Sequence, residues 1–525
     1  MQSFRLHSQQ FLPRVLLAGL AMYLLTLYGP LISQAGISVD DWGDIAHNLE
    51  CNSYWDCYKT WFPLFSNRPL APLPITALTF ALGTWYSGYL LINSVLYLLA
   101  LGIFSKVIFS ITNYKNATIF FLFSAIPMIA MPIITSPINQ STATLSLLLW
   151  SVSLMALLKF IQTARMTYGV TAFGCLLLAF LTYEVILPLL VITALLPWIW
   201  DAKRFSIISL RYWMHFLIPI LLVLIVVTLW QKAIAPHFMI VDSRLKFVPA
   251  HAIAKLHTFF SVFYKQIPAL FLKMPPFLQW SSLPGICFGL ASLTFSIRAS
   301  ILPQKSSGQS TESPQILAEK RQDRFFWSAL LCLLASSSIF ILSDESAVSA
   351  GYQARGLSST WIAFATLLAS INPIKKTWRI GYSSLLGIFF VLCVLCFNVQ
   401  RNQTIAAWQM QQLIISDANQ LIRQHHVTSG ATVLGDVPHY LPNNYNDEIV
   451  FSQPWDFGAA LAIYNSNQIL PGPVIDSSRG ELRQLKYKNS IVTAQNFAGA
   501  KLDNFWIYQF DIVNKSGKLL RIYDS

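Results

Sequence analysis

Apolar residues in this chain gather into long uninterrupted runs, not into the stripes of surface helices or the alternation of half-buried strands. Runs at about 12–32, 88–111, 116–134, 143–162, 167–185, 186–200, 212–232, 284–300, 325–343, 357–371 and 380–398 each suggest a helix crossing a hydrocarbon core of about 30 Å. The stretch 186–200 is short for a full crossing and suggests a broken or tilted helix. Another apolar piece, 69–82, carries Pro69, Pro72 and Pro74 and is expected to lie at the outer interface. After Asn398 the pattern changes. Ala406, Met410, Leu413, Ile414 and Leu421 fall at helical spacing within 400–425. Strand-like runs bounded by turn residues follow: ATVLG at 431–435, EIVF at 448–451, NFWIYQF at 504–510 and KLLRIYD at 518–524. The expected architecture is an all-α polytopic membrane protein of about eleven transmembrane helices, with a small α/β C-terminal extracytoplasmic domain. Residues 1–399 form the membrane part, with a first outer loop at 33–87, and 400–525 form the soluble part.

Composition supports this reading. Hydrophobic residues make up 54% of the 525, charged residues 11%, and the mean hydropathy is +0.52. A soluble domain carries about 25% charge, so a soluble enzyme, a disordered chain, a disulfide scaffold and a coiled coil are excluded. The ten-residue alternating segments of an outer-membrane barrel are absent. The net charge of +13 arises chiefly in alternate connections between the apolar runs. These hold Arg5 and Arg14; Lys106 and Lys115; Lys159 and Arg165; Lys203, Arg204 and Arg211; Arg298, Lys305, Lys320, Arg321 and Arg324; and Lys375, Lys376 and Arg379. The acids Asp201, Glu312, Glu319 and Asp323 share that side. The bias places the N-terminus in the cytoplasm and the first loop and tail outside. Nucleic acid is not an expected partner, because no recognition motif accompanies the charge. Met1–Arg14 is expected to open an uncleaved signal anchor.

Chemistry concentrates at 37–74, ISVDDWGDIAHNLECNSYWDCYKTWFPLFSNRPLAPLP. Adjacent Asp40 and Asp41 suit two roles. They could bind a divalent cation such as magnesium or manganese bridged to phosphate, or one could serve as general base with its pKa raised by its neighbour. Solvated loop charge is the plainer alternative. Asp44 lies one helical turn on, Trp42, Tyr54, Trp55 and Trp61 offer faces for sugar rings, and Arg68 can grip two phosphate oxygens. Two further outer positions join the candidates for substrate binding: Glu184 beside Tyr183, and Tyr352 with Arg355 in SDESAVSAGYQARG at 343–356. Cys51 and Cys57 share the first outer loop, where an oxidising compartment permits a disulfide; two free thiols are the alternative. Residues 250–273 fit an amphipathic helix on the membrane surface. His237, His251 and His257 lack a zinc-ligand spacing. In the tail, Asp436, His439, Asp447, Trp455 and Asp456 suit either an acceptor glycan or turn and capping roles. No Walker A, Rossmann or G-x-S-x-G motif is present, which favours a lipid-linked donor over a nucleotide sugar.

The acidic pair Asp40-Asp41 just after the first span, followed by Asn67-Arg68-Pro69-Leu70 before the second, resembles the GT-C superfamily of membrane glycosyltransferases. More narrowly it looks like the bacterial O-antigen glucosyltransferases of the Gtr type, with Asn67 where that group usually has Gly. The motifs cover the first 75 residues and the layout covers the chain. The resemblance implies sugar transfer from a polyprenyl-phosphate-linked donor to a glycan or lipid acceptor at the periplasmic face of the inner membrane. It also implies a catalytic first-loop acid at Asp40 or Asp41. A transporter or flippase of lipid-linked glycans is the alternative from another class, and an O-antigen polymerase or ligase a further one. A flippase expects polar residues at mid-bilayer depth, which these runs largely lack.

Overall fold

The computed structural model describes residues 19–38, 40–238, 249–273, 282–301, 314–342, 347–349, 352–372, 376–441, 448–452, 454–465, 469–479, 486–488, 491–494, 497–501 and 504–521. Helix dominates up to Gln424, and a small α/β unit follows. Among the described residues, five helices are long and apolar enough to cross a membrane: Tyr86–Ile111, Ser141–Thr163, Trp213–His237, Glu319–Ile341 and Ile380–Gln424. Shorter apolar helices are Pro72–Leu82, Met166–Thr182, Glu184–Trp200 and Leu283–Thr294. The chain is thus a multi-pass membrane protein, and among the described residues its long apolar helices are fewer than the eleven apolar runs.

The largest departure from a simple bundle is at 116–134. The helix Tyr114–Ser124 stops after 11 residues, about 17 Å of rise. Pro127, Pro132 and Pro137 forbid its regular continuation, yet residues 122–138 are all buried. Buried carbonyls at a helix end need outside donors. Four long side chains supply them in sequence. Tyr23 donates to Leu122 O (3.0 Å), Trp361 to Phe123 O (3.0 Å), Tyr97 to Ser124 O (2.7 Å) and Tyr28 to Ala125 O (2.8 Å). The unwound stretch is therefore a built feature that carries non-helical backbone into the protein interior, where protein groups replace the missing ladder.

The stretch expected at 186–200 is broken as anticipated. A 3-10 segment, Glu184–Leu189, leads into the α-helix Leu190–Trp200. Six residues at about 2 Å and eleven at about 1.5 Å span about 28 Å. At its far end, Arg321 donates to Trp200 O (2.8 Å) and lies 4.0 Å from that indole's ring centre, while Arg324 donates to Trp198 O (2.6 Å). Glu184 and the Arg321–Arg324 cluster thus occupy opposite ends of one element.

The span at 380–398 and the helix at 400–425 are one helix, Lys376–Gln424, of 49 residues. Its length is about 73 Å. No helix breaker separates the two halves, so polarity changes along it without a change of backbone. Where the polarity changes, Arg401 is buried, and its Nη1 donates to Thr26 O (3.0 Å) and Leu27 O (3.3 Å). Thr26 lies in the first described helix, 19–34, four residues before Pro30. Proline has no N–H to offer that carbonyl, and the arginine takes its place. Nearby, a Cβ at Gly36 would meet the Trp408 ring at 2.4 Å, so only glycine lets the chain pass there.

The tail contains a four-stranded sheet. Thr432–Asp436 is its centre, parallel to Leu470–Ile475 on one side and to Phe505–Asp511 on the other, with Ser516–Arg521 antiparallel at the edge. The helix Pro454–Tyr464 lies between the first two strands in sequence and packs on the second. A second sheet of three short antiparallel strands runs from Lys486 to Lys501. The EIVF run forms only an isolated bridge, Tyr440 with Ile449. The tail and the first loop share one hydrophobic core. Ile37, Trp42, Ile45, Ile75 and Leu78 pack in the same cluster as Ile414, Val433, Phe457 and Tyr508. Trp42 stacks on Trp408 at 5.7 Å and donates to Gln411 (3.2 Å), whose amide donates onward to Val450 O (2.7 Å).

Replacing Arg401 by Met keeps the apolar stem but leaves the Thr26 carbonyl without a donor. Such an orphan costs about 1–3 kcal/mol, so thermal unfolding in detergent should show Arg401→Met melting several degrees below the parent. An unchanged melting temperature would refute the role given to this guanidinium.

Candidate functional site

The first loop is a set of short helices, Asp40–Leu49, Tyr54–Trp61 and Pro72–Leu82. The first begins with two aspartates, a favourable place for anions at a helix N-terminus. Its apolar residues Trp42, Ile45 and Ala46 face the tail. The sulfurs of Cys51 and Cys57 are bonded, with Cα atoms 5.5 Å apart, and tie the end of the first helix to the second. Ser53 caps that second helix by accepting from Asp56 N (3.2 Å).

Asp41 is fully buried. Its Oδ1 accepts from Asn139 N (2.9 Å), Ile138 N (3.2 Å) and Ser136 Oγ (3.2 Å), and its Oδ2 accepts from Ser38 N (3.2 Å). Three of these donors belong to the end of the unwound stretch. Burial pushes the carboxyl up to about 7 against the pull of the hydrogen bonds from Asn139 and Ser38. Asp44, one turn on, is 4% exposed, and its Oδ2 has no hydrogen-bond partner. Burial raises its carboxyl well above the ordinary range, and the charges of Asp41 and Asp40 add to the rise.

Asp40 points elsewhere. Its Oδ2 lies 3.5 Å from Arg355 Nη1, and the side chains are 28% and 16% exposed. Arg355 sits in the 3-10 turn Tyr352–Leu357, whose Arg355 carbonyl accepts from Ser358 Oγ (2.7 Å). Tyr352 opens the same turn. The preceding chain is held by Gln266, which sequence reasoning missed. Its Nε2 donates to Ala347 O (3.1 Å), and its Oε1 accepts from Ser349 N (2.8 Å). Gln266 belongs to the helical stretch from Pro249 to Leu272, which covers most of the segment expected at 250–273. A glutamine within an amphipathic pattern carries no signal of this role. Asp344 and Glu345 lie outside the described residues.

Arg68 and Glu184 are paired with each other. Nε donates to Oε2 at 2.5 Å and Nη2 donates to Oε1, while the guanidinium lies 4.4 Å from the centre of the Tyr183 ring. The Asn67-Arg68-Pro69-Leu70 turn is anchored on all sides. Trp230 donates to Ser66 O (2.7 Å), Tyr58 to Pro69 O (3.1 Å), and Leu70 N to Leu181 O (3.1 Å). Arg355 is near enough for its charge to act on Arg68. Asp40, Asp41, Asp44, Arg68, Glu184 and Arg355 therefore meet in one neighbourhood, although they come from four separate parts of the chain.

Two of the tail candidates occupy turn and capping settings, and the helix that carries Asp456, Pro454–Tyr464, packs on Asp40–Leu49. Asp436 accepts from Ser477 N (2.9 Å) and Gln509 (2.9 Å), and Asp456 from Ser452 N (2.7 Å) and Phe457 N (2.6 Å). Asp447 lies outside the described residues. Among the described residues no three His, Cys, Asp or Glu side chains are grouped to hold a metal ion. Asp41 faces N–H and O–H donors on both oxygens and Asp40 faces a guanidinium, so this set does not fit a divalent cation.

No protein-family model and no curated protein matches the chain. Similar solved structures include ArnT from Cupriavidus metallidurans in the apo state, at 13% identity and TM-score 0.36, covering 90% of this chain and 91% of that one. The same protein bound to undecaprenyl phosphate gives 13% identity and TM-score 0.34, covering 94% and 92%.

The raised carboxyl of Asp41 fixes a sign. Between its unfolded value near 4 and about 7, the native chain holds more protons than the unfolded one, so stability falls as pH rises through that window. Asp41→Asn removes its share of this slope. Unfolding midpoints measured at pH 5 and pH 7 should differ less in the variant than in the parent, and an equal difference would contradict the assignment.

Proposed function

We propose that this chain is a membrane glycosyltransferase, transferring a sugar from a polyprenyl-phosphate-linked donor to a glycan or lipid acceptor. The observation that carries the reading is the meeting of Asp40 with Arg355, beside the Arg68–Glu184 pair, at one end of the helical bundle. The motif resemblance and the basic-residue asymmetry support a periplasmic site on a bacterial inner membrane, with the N-terminus in the cytoplasm and the tail outside.

Asp40 is the general base in this reading. The acceptor hydroxyl oxygen attacks the anomeric carbon of the donor sugar. The bond from that carbon to the phosphate oxygen breaks, and its electron pair leaves with the lipid phosphate. The hydroxyl proton passes to Asp40. Guanidinium groups suit the phosphate because their planar forks meet two oxygens at once, and a positive charge aimed at the leaving group lowers the barrier. Asp41 is a positioning residue, since every direction around its carboxylate is taken by the protein. The raised, uncharged form of Asp44 keeps a further negative charge away from the phosphate.

In membranes supplied with a polyprenyl-phosphate sugar, Asp40→Asn should lower transfer by about 10²–10⁴-fold, the usual contribution of a general base, with expression and melting temperature retained. Parent-level transfer by that variant would sink the proposal. Lipid-linked sugar crossing the bilayer with no covalent product would favour the flippase instead.

A further inference from the structure

We propose that Asp40 and the lipid phosphate compete for the Arg355 guanidinium, so that donor binding is the event that frees Asp40 to act as base. This rests on the glycosyltransferase reading and deepens it at the same site. The two arginines are held in different ways. Arg68 grips Glu184 with two N–H groups, lies over Tyr183, and sits in a turn anchored by Trp230, Tyr58 and Leu181. Its charge is already matched by a planar, two-pronged carboxylate contact, the strongest arrangement available to it. Arg355 Nη1 stands 3.5 Å from Asp40 Oδ2, a longer contact than either of the two that join Arg68 to Glu184, and the two pairs are similarly exposed. An incoming anion therefore displaces Asp40 from Arg355 at far lower cost than Glu184 from Arg68.

The exchange has a chemical consequence. While Asp40 Oδ2 faces the guanidinium, that oxygen is engaged and does not meet an acceptor hydroxyl. Once phosphate oxygens take the guanidinium, the same oxygen is released to accept the hydroxyl proton. Gln266 fixes the chain before Arg355 through Ala347 and Ser349, so the arginine stays in place while its partner changes. The enzyme thus holds its base in check until a donor is present.

A double-mutant cycle on the full-length protein in detergent tests this, with farnesyl phosphate as the titrated ligand. Arg355→Ala should weaken binding about tenfold, and Asp40→Asn should tighten it about three- to tenfold. In the Arg355→Ala background, Asp40→Asn should give no tightening. Arg355→Gln serves the same purpose if the alanine variant is not recovered folded. Unchanged or weaker binding in Asp40→Asn overturns the exchange, and so does equal tightening in both backgrounds, which marks a general charge effect. A parent protein that binds no farnesyl phosphate overturns the glycosyltransferase reading together with the exchange. Binding without coupling overturns the exchange alone.

Discussion

A single buried carboxylate holds the site together. Leaving an ionisable group where water cannot reach it costs several kcal/mol unless the protein supplies partners, and Asp41 is supplied with four donors. Those donors need Asp41 in turn. Ile138 and Asn139 end an irregular passage through the interior, interrupted only by the single helical turn Pro132–Thr135, where an unanswered N–H is expensive. The carboxylate thereby welds the start of the first loop helix to the break in the bundle. Asp40, its neighbour in sequence, is aimed at Arg355 as a result.

The same economy runs through the polar groups of the interior. Proline or an early helix end leaves a carbonyl bare, and an aromatic hydroxyl, an indole or a guanidinium from a distant segment covers it. Tyr23, Tyr28, Tyr97 and Trp361 do this for the end of one helix, and Arg401 does it beside Pro30. Each cover is also a cross-link between segments far apart in the chain. Irregular backbone, usually a liability in a membrane, becomes the means by which the helices are registered to one another.

Much of this was legible in the residues. Most of the long apolar runs coincide with helices, because length and hydropathy are local properties, but 116–134 does not form the single helix expected of it. The acidic pair stood out within an acid-rich loop, and Arg68, Glu184 and Arg355 as charges bordering apolar runs; the structure brings them into one neighbourhood. Their pairing was not legible, since which arginine meets which carboxylate depends on how the helices pack. Asp40 and Asp41 look equivalent in sequence. Only the fold separates them, burying one against 136–139 and leaving the other part-exposed. The break after Ser124 was signalled by three prolines but outweighed by the apolar content around them. The continuity of Lys376–Gln424 was hidden because polarity and backbone change independently.

That continuity gives the protein a mechanical property. One end of a rigid rod about 73 Å long lies among apolar helices, and the other supports the sheet whose core includes Trp42. A bilayer that thickens or thins by a few ångströms is accommodated by shifting or tilting such a rod, and the rod carries Trp408, which stacks on Trp42 two residues from Asp40.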